Sequence, residues 1–299
     1  MGCAMNVGKT ELSALTRMFS ATVLREFGRS GRSALFTRLL LESGLIRHVH
    51  PGATIGDTFD RAFESLRALG NRDEYVYRSA ITQKILLGHH NLRTASMLSE
   101  VRVGTCKADV VVLNGTATAY EIKSERDSLA RLSSQISSYS RVFAAVNVVT
   151  SPSYVSQVSR LVPREVGVIV LSSGFTLQSA RPATVDPSRI DALAVLDLIR
   201  ADEAISILRA LKIDVPEVPN TQLRRALSDV FSTLDPSTLH KHMVNTLKQS
   251  RSQQSSATSI QTIPMSLRAA ILSLNLNHAA QLKVREATRL PVHSALAWS

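Results

Sequence analysis

Lys107-Ala108-Asp109-Val110-Val111-Val112-Leu113-Asn114-Gly115-Thr116-Ala117-Thr118-Ala119-Tyr120-Glu121-Ile122-Lys123 is the stretch from which the fold is read. Two strongly apolar runs flank Asn114-Gly115, a pair that tolerates positive φ and closes a tight hairpin. With the turn centred on Gly115, Asp109 and Glu121 are equally distant from it and fall opposite one another. Opposed residues on neighbouring strands share a face, with Cβ atoms about 5 Å apart. Lys123, two residues past Glu121, points to that same face. A slip of two residues preserves the faces and a slip of one destroys them.

On either side of the hairpin the apolar period changes, and four regions separate. Residues 1–70 read as helical: Leu12, Leu15, Phe19, Val23 and Phe27 recur at spacings of three and four, with breaks at Gly28-Arg29-Ser30-Gly31 and His50-Pro51-Gly52. Residues 71–185 form the core. A helix from Asp73 to Leu87 precedes strand-like runs at Met97 to Val103, Ala108 to Leu113, Thr118 to Lys123, Ala144 to Thr150 and Val166 to Ser172. Polar helical stretches, Ser128 to Arg141 and Tyr154 to Leu161, sit between the later strands. Hairpins followed by strand-helix-strand alternation predict a mixed α/β sheet flanked by helices. Residues 186–249 return to helix. Residues 250–299 begin with a Ser- and Gln-rich stretch that reads as a flexible linker, followed by a tail with room for one helix.

Two carboxylates and a lysine thus converge on an otherwise apolar hairpin. Burying unpaired carboxylates is expensive, and a divalent cation held by both offsets that cost. Mg²⁺ suits a few carboxylates completed by waters and phosphate oxygens; it makes bound water more acidic and polarises a phosphoryl oxygen. Lys123 can then orient the attacking water or neutralise the transition state. For an arbitrary Asp with Glu-x-Lys the simpler reading, a structural ion pair on a solvated face, is the commoner one.

The surroundings of the motif bear on that choice. Asp109 followed by Glu121-Ile122-Lys123 on the next strand of a hairpin resembles the metal site of the PD-(D/E)XK nuclease superfamily. That family adds an acidic residue on a preceding helix, and Glu74 in Asp73-Glu74-Tyr75-Val76-Tyr77-Arg78 occupies that place, with Glu100 on the first strand as the rival. Gln135-Ile136-Ser137-Ser138-Tyr139 is similar to the Gln-x-x-x-Tyr motif of the RecB-type branch. On a helix those two residues are i,i+4 neighbours, and Arg131 precedes them by one turn. The resemblance implies a restriction-endonuclease-like fold and a metal site of Asp109 and Glu121, with Glu74 a further ligand. It implies Lys123 as the catalytic lysine, Mg²⁺ or Mn²⁺ as cofactor, and Gln135, Tyr139 and Arg131 in contact with the nucleic-acid strand. The run from Glu74 to Thr150 also resembles a group of bacterial nuclease-like proteins, and host defence or DNA repair would both suit such an enzyme. RecB-type sites often carry an upstream metal-binding His, for which His89-His90 is the available pair, though a loop His is usually just solvated.

Composition narrows the partners. A net charge of +11 and a pI near 10.2 attract polyanions, nucleic acid foremost. Arg25, Arg29, Arg32 and Arg38 form one basic set, and Arg224, Arg225, Lys241 and Lys248 a second; a solvated face is the default for both. Two cysteines, Cys3 and Cys106, are too few for a disulfide framework or a zinc site. No apolar run approaches the roughly 20 residues that span a bilayer, and Met1 to Asn6 lack secretory and myristoylation signals. A cytoplasmic protein without a membrane partner is expected. Gly8-Lys9-Thr10 lacks the spacing and the preceding strand of a phosphate loop. The expectation is a metal-dependent nuclease acting on nucleic acid, preferably DNA, with helical flanks open to a protein partner. The alternative is a nuclease fold that only binds.

Overall fold

The computed structural model describes residues 8–298; Met1 to Val7, with Cys3 and the stretch read for targeting signals, and Ser299 lie outside the described residues. The chain begins with helices α1 (Lys9–Met18), α2 (Ala21–Ser30), α3 (Ala34–Glu42), α4 (Ile55–Arg67) and α5 (Glu74–Ala80), the last running on as a π-helical segment, Ile81–Leu86. Strands β1 (Ser96–Val103), β2 (Cys106–Leu113) and β3 (Ala117–Lys123) follow. Then come helix α6 (Leu132–Ser140), strand β4 (Ala145–Thr150), helix α7 (Val155–Leu161) and strands β5 (Gly167–Leu171) and β6 (Leu177–Arg181). Helices α8 (Ala192–Leu198), α9 (Ala201–Ala210), α10 (Asn220–Phe231), α11 (Pro236–Ser250), α12 (Arg268–Leu274) and α13 (His278–Arg289) complete the order.

The chain divides into two compact units. One takes the residues up to Leu92, Ser173–Thr176 and those from Gln253 onward; the other takes Arg93–Ser172 and Leu177–Ser252. The second is a six-stranded sheet with its helices, the strands lying in chain order. β1, β2 and β3 form an antiparallel meander, β3, β4 and β5 run parallel, and β6 returns antiparallel to β5. The mixed α/β sheet flanked by helices is therefore as the sequence predicts. The parallel pairs need crossovers, and α6 and α7 supply them. Val111, Leu113, Ala117 and Ala119 from the hairpin share one core with Leu132, Ile136 and Phe143 around α6, and with Leu196, Phe231 and Met243 from the later helices. β6 has no counterpart in the sequence reading. Its residues are half-buried or exposed and none is buried, so no inward-facing apolar alternation marks it.

The decisive turn forms as expected. Val110 pairs with Tyr120 and Leu113 with Ala117, a register centred on residue 115. Gly115 sits at φ 108°, a region that side chains avoid, and the Asn114 N–H donates to the Thr116 carbonyl at 3.0 Å. His240 of α11 caps the loop from the core side: its Nε2 accepts the Ala117 N–H at 3.1 Å.

The helical unit differs from the sequence reading in three places. The first helical stretch breaks at Phe19-Ser20 as well as at Gly31, because Ser20 is extended and starts α2. Phe19 is buried there, stacked 4.7 Å from Tyr75 and edge-on to Phe59 and Phe63, a tertiary contact that periodicity does not register. The Ser/Gln-rich stretch is folded rather than a loose linker. It forms 3-10 turns, Gln254–Ser256 and Ser259–Thr262. Buried Gln253 donates to the Leu272 carbonyl at 2.8 Å, and Gln281 Nε2 donates to Ser256 Oγ at 2.7 Å. The tail holds two helices where one was expected. No helix of the described residues is long and apolar enough to cross a membrane.

Two outcomes follow from the turn. Nothing lies near a Cβ added at Gly115, so Gly115→Ala should cost only the backbone strain, about 1–3 kcal/mol, read from the urea midpoint. Burial lowers the pKa of His240 below its ordinary 6.5. A depressed folded value leaves its stabilisation intact above the unfolded pKa and removes it as pH falls through the folded one. Urea denaturation at neutral and mildly acidic pH should therefore show a smaller acid loss for His240→Gln, which keeps an acceptor but cannot be charged, than for the wild type.

Candidate active site

β2 and β3 remain paired as far as Val110 and Tyr120, and one step further along that register sets Asp109 across from Glu121. There the two strands exchange a side chain for the ladder: Asp109 Oδ2 accepts the Ile122 N–H at 2.7 Å. β3 also pairs with β4, Glu121 opposite Val148 and Lys123 opposite Thr150, so the site-bearing strand is interior. Thr150 Oγ1 donates to the Lys123 carbonyl at 2.7 Å and fixes its end.

Glu121 is 1% exposed and Lys123 7%. A carboxylate in such a place needs partners, and it has three. Lys123 Nζ donates to Glu121 Oε1 at 2.8 Å, Gln135 Nε2 donates to the same oxygen at 2.5 Å, and the Tyr139 hydroxyl donates to Glu121 Oε2 at 2.9 Å. Gln135 Oε1 in turn accepts from Lys123 Nζ at 3.0 Å. The amide thus spans the ion pair, its oxygen on the cation and its nitrogen on the anion. Leu132 and Ile136 bury α6 against the sheet, which turns Gln135 and Tyr139, one helical turn apart, toward Glu121.

Tyr139 has no exposed surface. Its hydroxyl, placed between Glu121 Oε2 and the Lys107 carbonyl at 2.8 Å, ties α6 to β2 and β3 together. Its pKa is raised, by burial first, then by the Glu121 charge and hydrogen bond, with the Asp109 charge adding to it. One phenol therefore senses both carboxylates. Tyr139, expected at a nucleic-acid strand, has its ring wholly inside the protein and its hydroxyl on Glu121.

The remaining residues singled out in the sequence are distributed as follows. Gln135 is half-buried, and Arg131 is exposed at the N-terminal end of α6, one turn before it. Glu100 lies across β1 from Asp109, bracketed by the pairs Ser99–Val110 and Val101–Ala108. Its backbone is left-handed at φ 54° and its exposed carboxylate pairs with Lys107 Nζ at 2.8 Å. Glu74 belongs to the helical unit, at the start of α5, and pairs with Arg78. His89 and His90 are in that unit also, in the turn after the π-helical segment. Gly8-Lys9-Thr10 is the N-cap and first turn of α1, its Gly8 N–H taken by Glu11 at 2.9 Å. Sequence reasoning did not find the Lys107 carbonyl, the Ile122 N–H or Thr150 as parts of the site; main-chain groups leave no residue-type signal. Among the described residues no group of three or more His, Cys, Asp and Glu is placed to hold a metal ion. Asp109 and Glu121 offer hard oxygen donors, the kind that Mg²⁺ takes in small number with water and phosphate completing the shell.

A family model described as Bacteriophage P4 protein cII matches residues 67–279, a span that includes Glu74, Asp109, Glu121, Lys123, Gln135 and Tyr139. Protein cII of Enterobacteria phage P4 is 37% identical over 84 residues, 27% of this chain and 32% of that protein, so the aligned stretch spans about a third of the curated relative. Among solved structures, a protein of unknown function from Silicibacter pomeroyi is 17% identical with a TM-score of 0.31, covering 46% of this chain and 88% of the other.

Tyr139→Phe removes the single O–H that a buried carboxylate and a main-chain carbonyl share. A loss of about 1–3 kcal/mol is expected at neutral pH, measured by urea denaturation. The raised phenol pKa means that the native state resists ionisation, so wild-type stability declines as pH climbs past the ordinary tyrosine value of about 10. The Phe variant should decline less over that range.

Proposed function

We propose that this chain, which belongs to the Bacteriophage P4 protein cII family, is a metal-dependent nuclease of the PD-(D/E)XK type, RecB-like in its Gln-x-x-x-Tyr helix. In this reading it hydrolyses phosphodiester bonds in nucleic acid, DNA for preference, with Mg²⁺ or Mn²⁺. The observation that supports the reading is the convergence of Glu121, Lys123, Gln135 and Tyr139 in one hydrogen-bonded cluster beside Asp109.

Asp109 and Glu121 are the residues that would hold the cation. A divalent ion there supplies polarisation of a phosphoryl oxygen and a more acidic water. The chain's own groups do the rest. Two of the three Lys123 ammonium N–H groups are engaged by Glu121 and Gln135; the third is left to meet a phosphate oxygen or the attacking water and offsets charge that builds in the transition state. Tyr139 and Gln135 keep the Glu121 carboxylate from rotating, and preorganisation of this kind is where catalytic precision comes from. Arg131, exposed one turn before Gln135, would meet the phosphate backbone.

A second reading, a fold that binds nucleic acid or a protein partner without cutting, is favoured by one observation. Glu121 already has three internal donors, which satisfies its burial without a cation. Isothermal titration with Mg²⁺ separates the two, since only the nuclease reading predicts heat that Asp109→Asn abolishes.

Asp109→Asn retains an oxygen for the Ile122 N–H while removing the charge. Incubation with linear, circular, single-stranded and duplex DNA should show Mg²⁺-dependent degradation by the wild type and a drop of about a hundredfold or more in the variant, with an unchanged melting temperature. Equal rates for the two proteins would sink the proposal.

A further inference from the structure

We propose that α2 and α13 of the helical unit form a second, metal-independent surface for the phosphate backbone of nucleic acid. The basic set read from the sequence splits in the structure. Arg38 turns to Glu42 at 3.5 Å, a carboxylate that also lies 3.9 Å from Arg17. Arg25, Arg29 and Arg32 are exposed, and among the described residues none of the three is in an ion pair. The acidic groups nearest in the chain are occupied: Glu26 accepts from Ser33 Oγ at 2.6 Å and from the Leu35 N–H at 3.4 Å, and Glu286 faces Arg285 at 3.8 Å.

Helix packing adds a fourth cation. Gly28 is buried on the side of α2 that meets α13, where an added Cβ would lie 3.1 Å from the Cβ of Ala280. This close approach brings exposed Lys283 to α2, and its Nζ donates to the Arg29 carbonyl at 2.6 Å. Gly31, at φ 73°, ends α2 and leads directly into Arg32. The result is a ridge of Arg25, Arg29, Arg32 and Lys283. The negative end of the α2 dipole is worth about half a charge, far less than four cations.

The occupant follows from what surrounds the charges. Exposed positions on α2 are Thr22, Arg25, Arg29 and Ser30, with no large apolar side chain to enter a lipid interface. A polyanion with regularly spaced charge fits this ridge, as phosphate-tracking surfaces carry Arg and Lys with small hydroxyl residues between. In the second basic set Arg224 is tied to Asp197 and to the Leu196 carbonyl. Three of the four cations lie before the family-matched span and Lys283 after it, so the surface stands apart from the nuclease reading.

The full chain, in EDTA so that no cleavage occurs, is titrated onto a fluorescent DNA duplex over a salt series, followed by anisotropy. The variant carrying Arg25→Gln, Arg29→Gln and Arg32→Gln should bind more weakly, with the slope of log affinity against log salt shallower by about 3, roughly 0.9 for each phosphate that is no longer neutralised. Arg38→Gln, whose partner is Glu42, should leave the slope unchanged. Because cleavage is absent in EDTA, a defect in this surface is read apart from any defect in cleavage. An unchanged slope in the triple variant overturns the proposal. So does a defect confined to anionic vesicles or to an acidic protein while duplex binding persists.

Discussion

Glu121 carries a full negative charge on an interior strand, and the arrangement around it follows from the need to satisfy that charge. Several kcal/mol of desolvation per ion must be offset by close, well-directed donors. One donor, Lys123, comes from the same strand two residues on; two, Gln135 and Tyr139, come from the crossover helix that links β3 to β4. Because the Tyr139 hydroxyl also reaches the Lys107 carbonyl, β2, β3 and α6 are joined at a single point. Register, helix docking and site geometry are therefore one constraint. A hairpin slipped by one residue would turn Glu121 away from α6, leaving Gln135 and Tyr139 without their acceptor.

The same bonds serve stability and, in the nuclease reading, chemistry, which is why the two readings of the site share their residues. An ammonium held by a carboxylate and an amide oxygen is fixed in position and keeps one N–H for a ligand. A carboxylate gripped from two sides keeps its orientation when charge changes nearby. Asp109 differs from Glu121 in being only partly buried and in bonding to a main-chain N–H at the point where the strands leave their ladder. The site is therefore asymmetric, with one acid locked inside and the other at the mouth.

The basic character of the chain acquires a location in the same way. Charges that look alike in sequence separate once their neighbours are known. Arg38, Arg224 and Arg251 are answered by Glu42, Asp197 and buried Glu203, whereas among the described residues no carboxylate pairs with Arg25, Arg29 or Arg32. The Glu203 carboxyl shows how strong such an answer is. Burial pushes its pKa up, yet Arg251, the Arg200 N–H and Ser250 together bring it to about 2.

The hairpin centred on Gly115, the opposition of Asp109 and Glu121 and the i,i+4 pairing of Gln135 with Tyr139 were legible in the sequence, because turn chemistry, the two-residue strand period and the helical period are local properties. So were five of the strands and the α/β class, since short strand-like runs alternate there with helical stretches. Contacts between residues distant in the chain decided the rest. Tyr139 is a clamp on Glu121 because α6 packs with that face inward; β6 is a strand because β5 offers it an edge; the Ser/Gln stretch folds because buried amide and carbonyl groups meet it. Helical periodicity shows which residues share a face, but not which other part of the chain that face will meet, and only the tertiary packing supplied those partners.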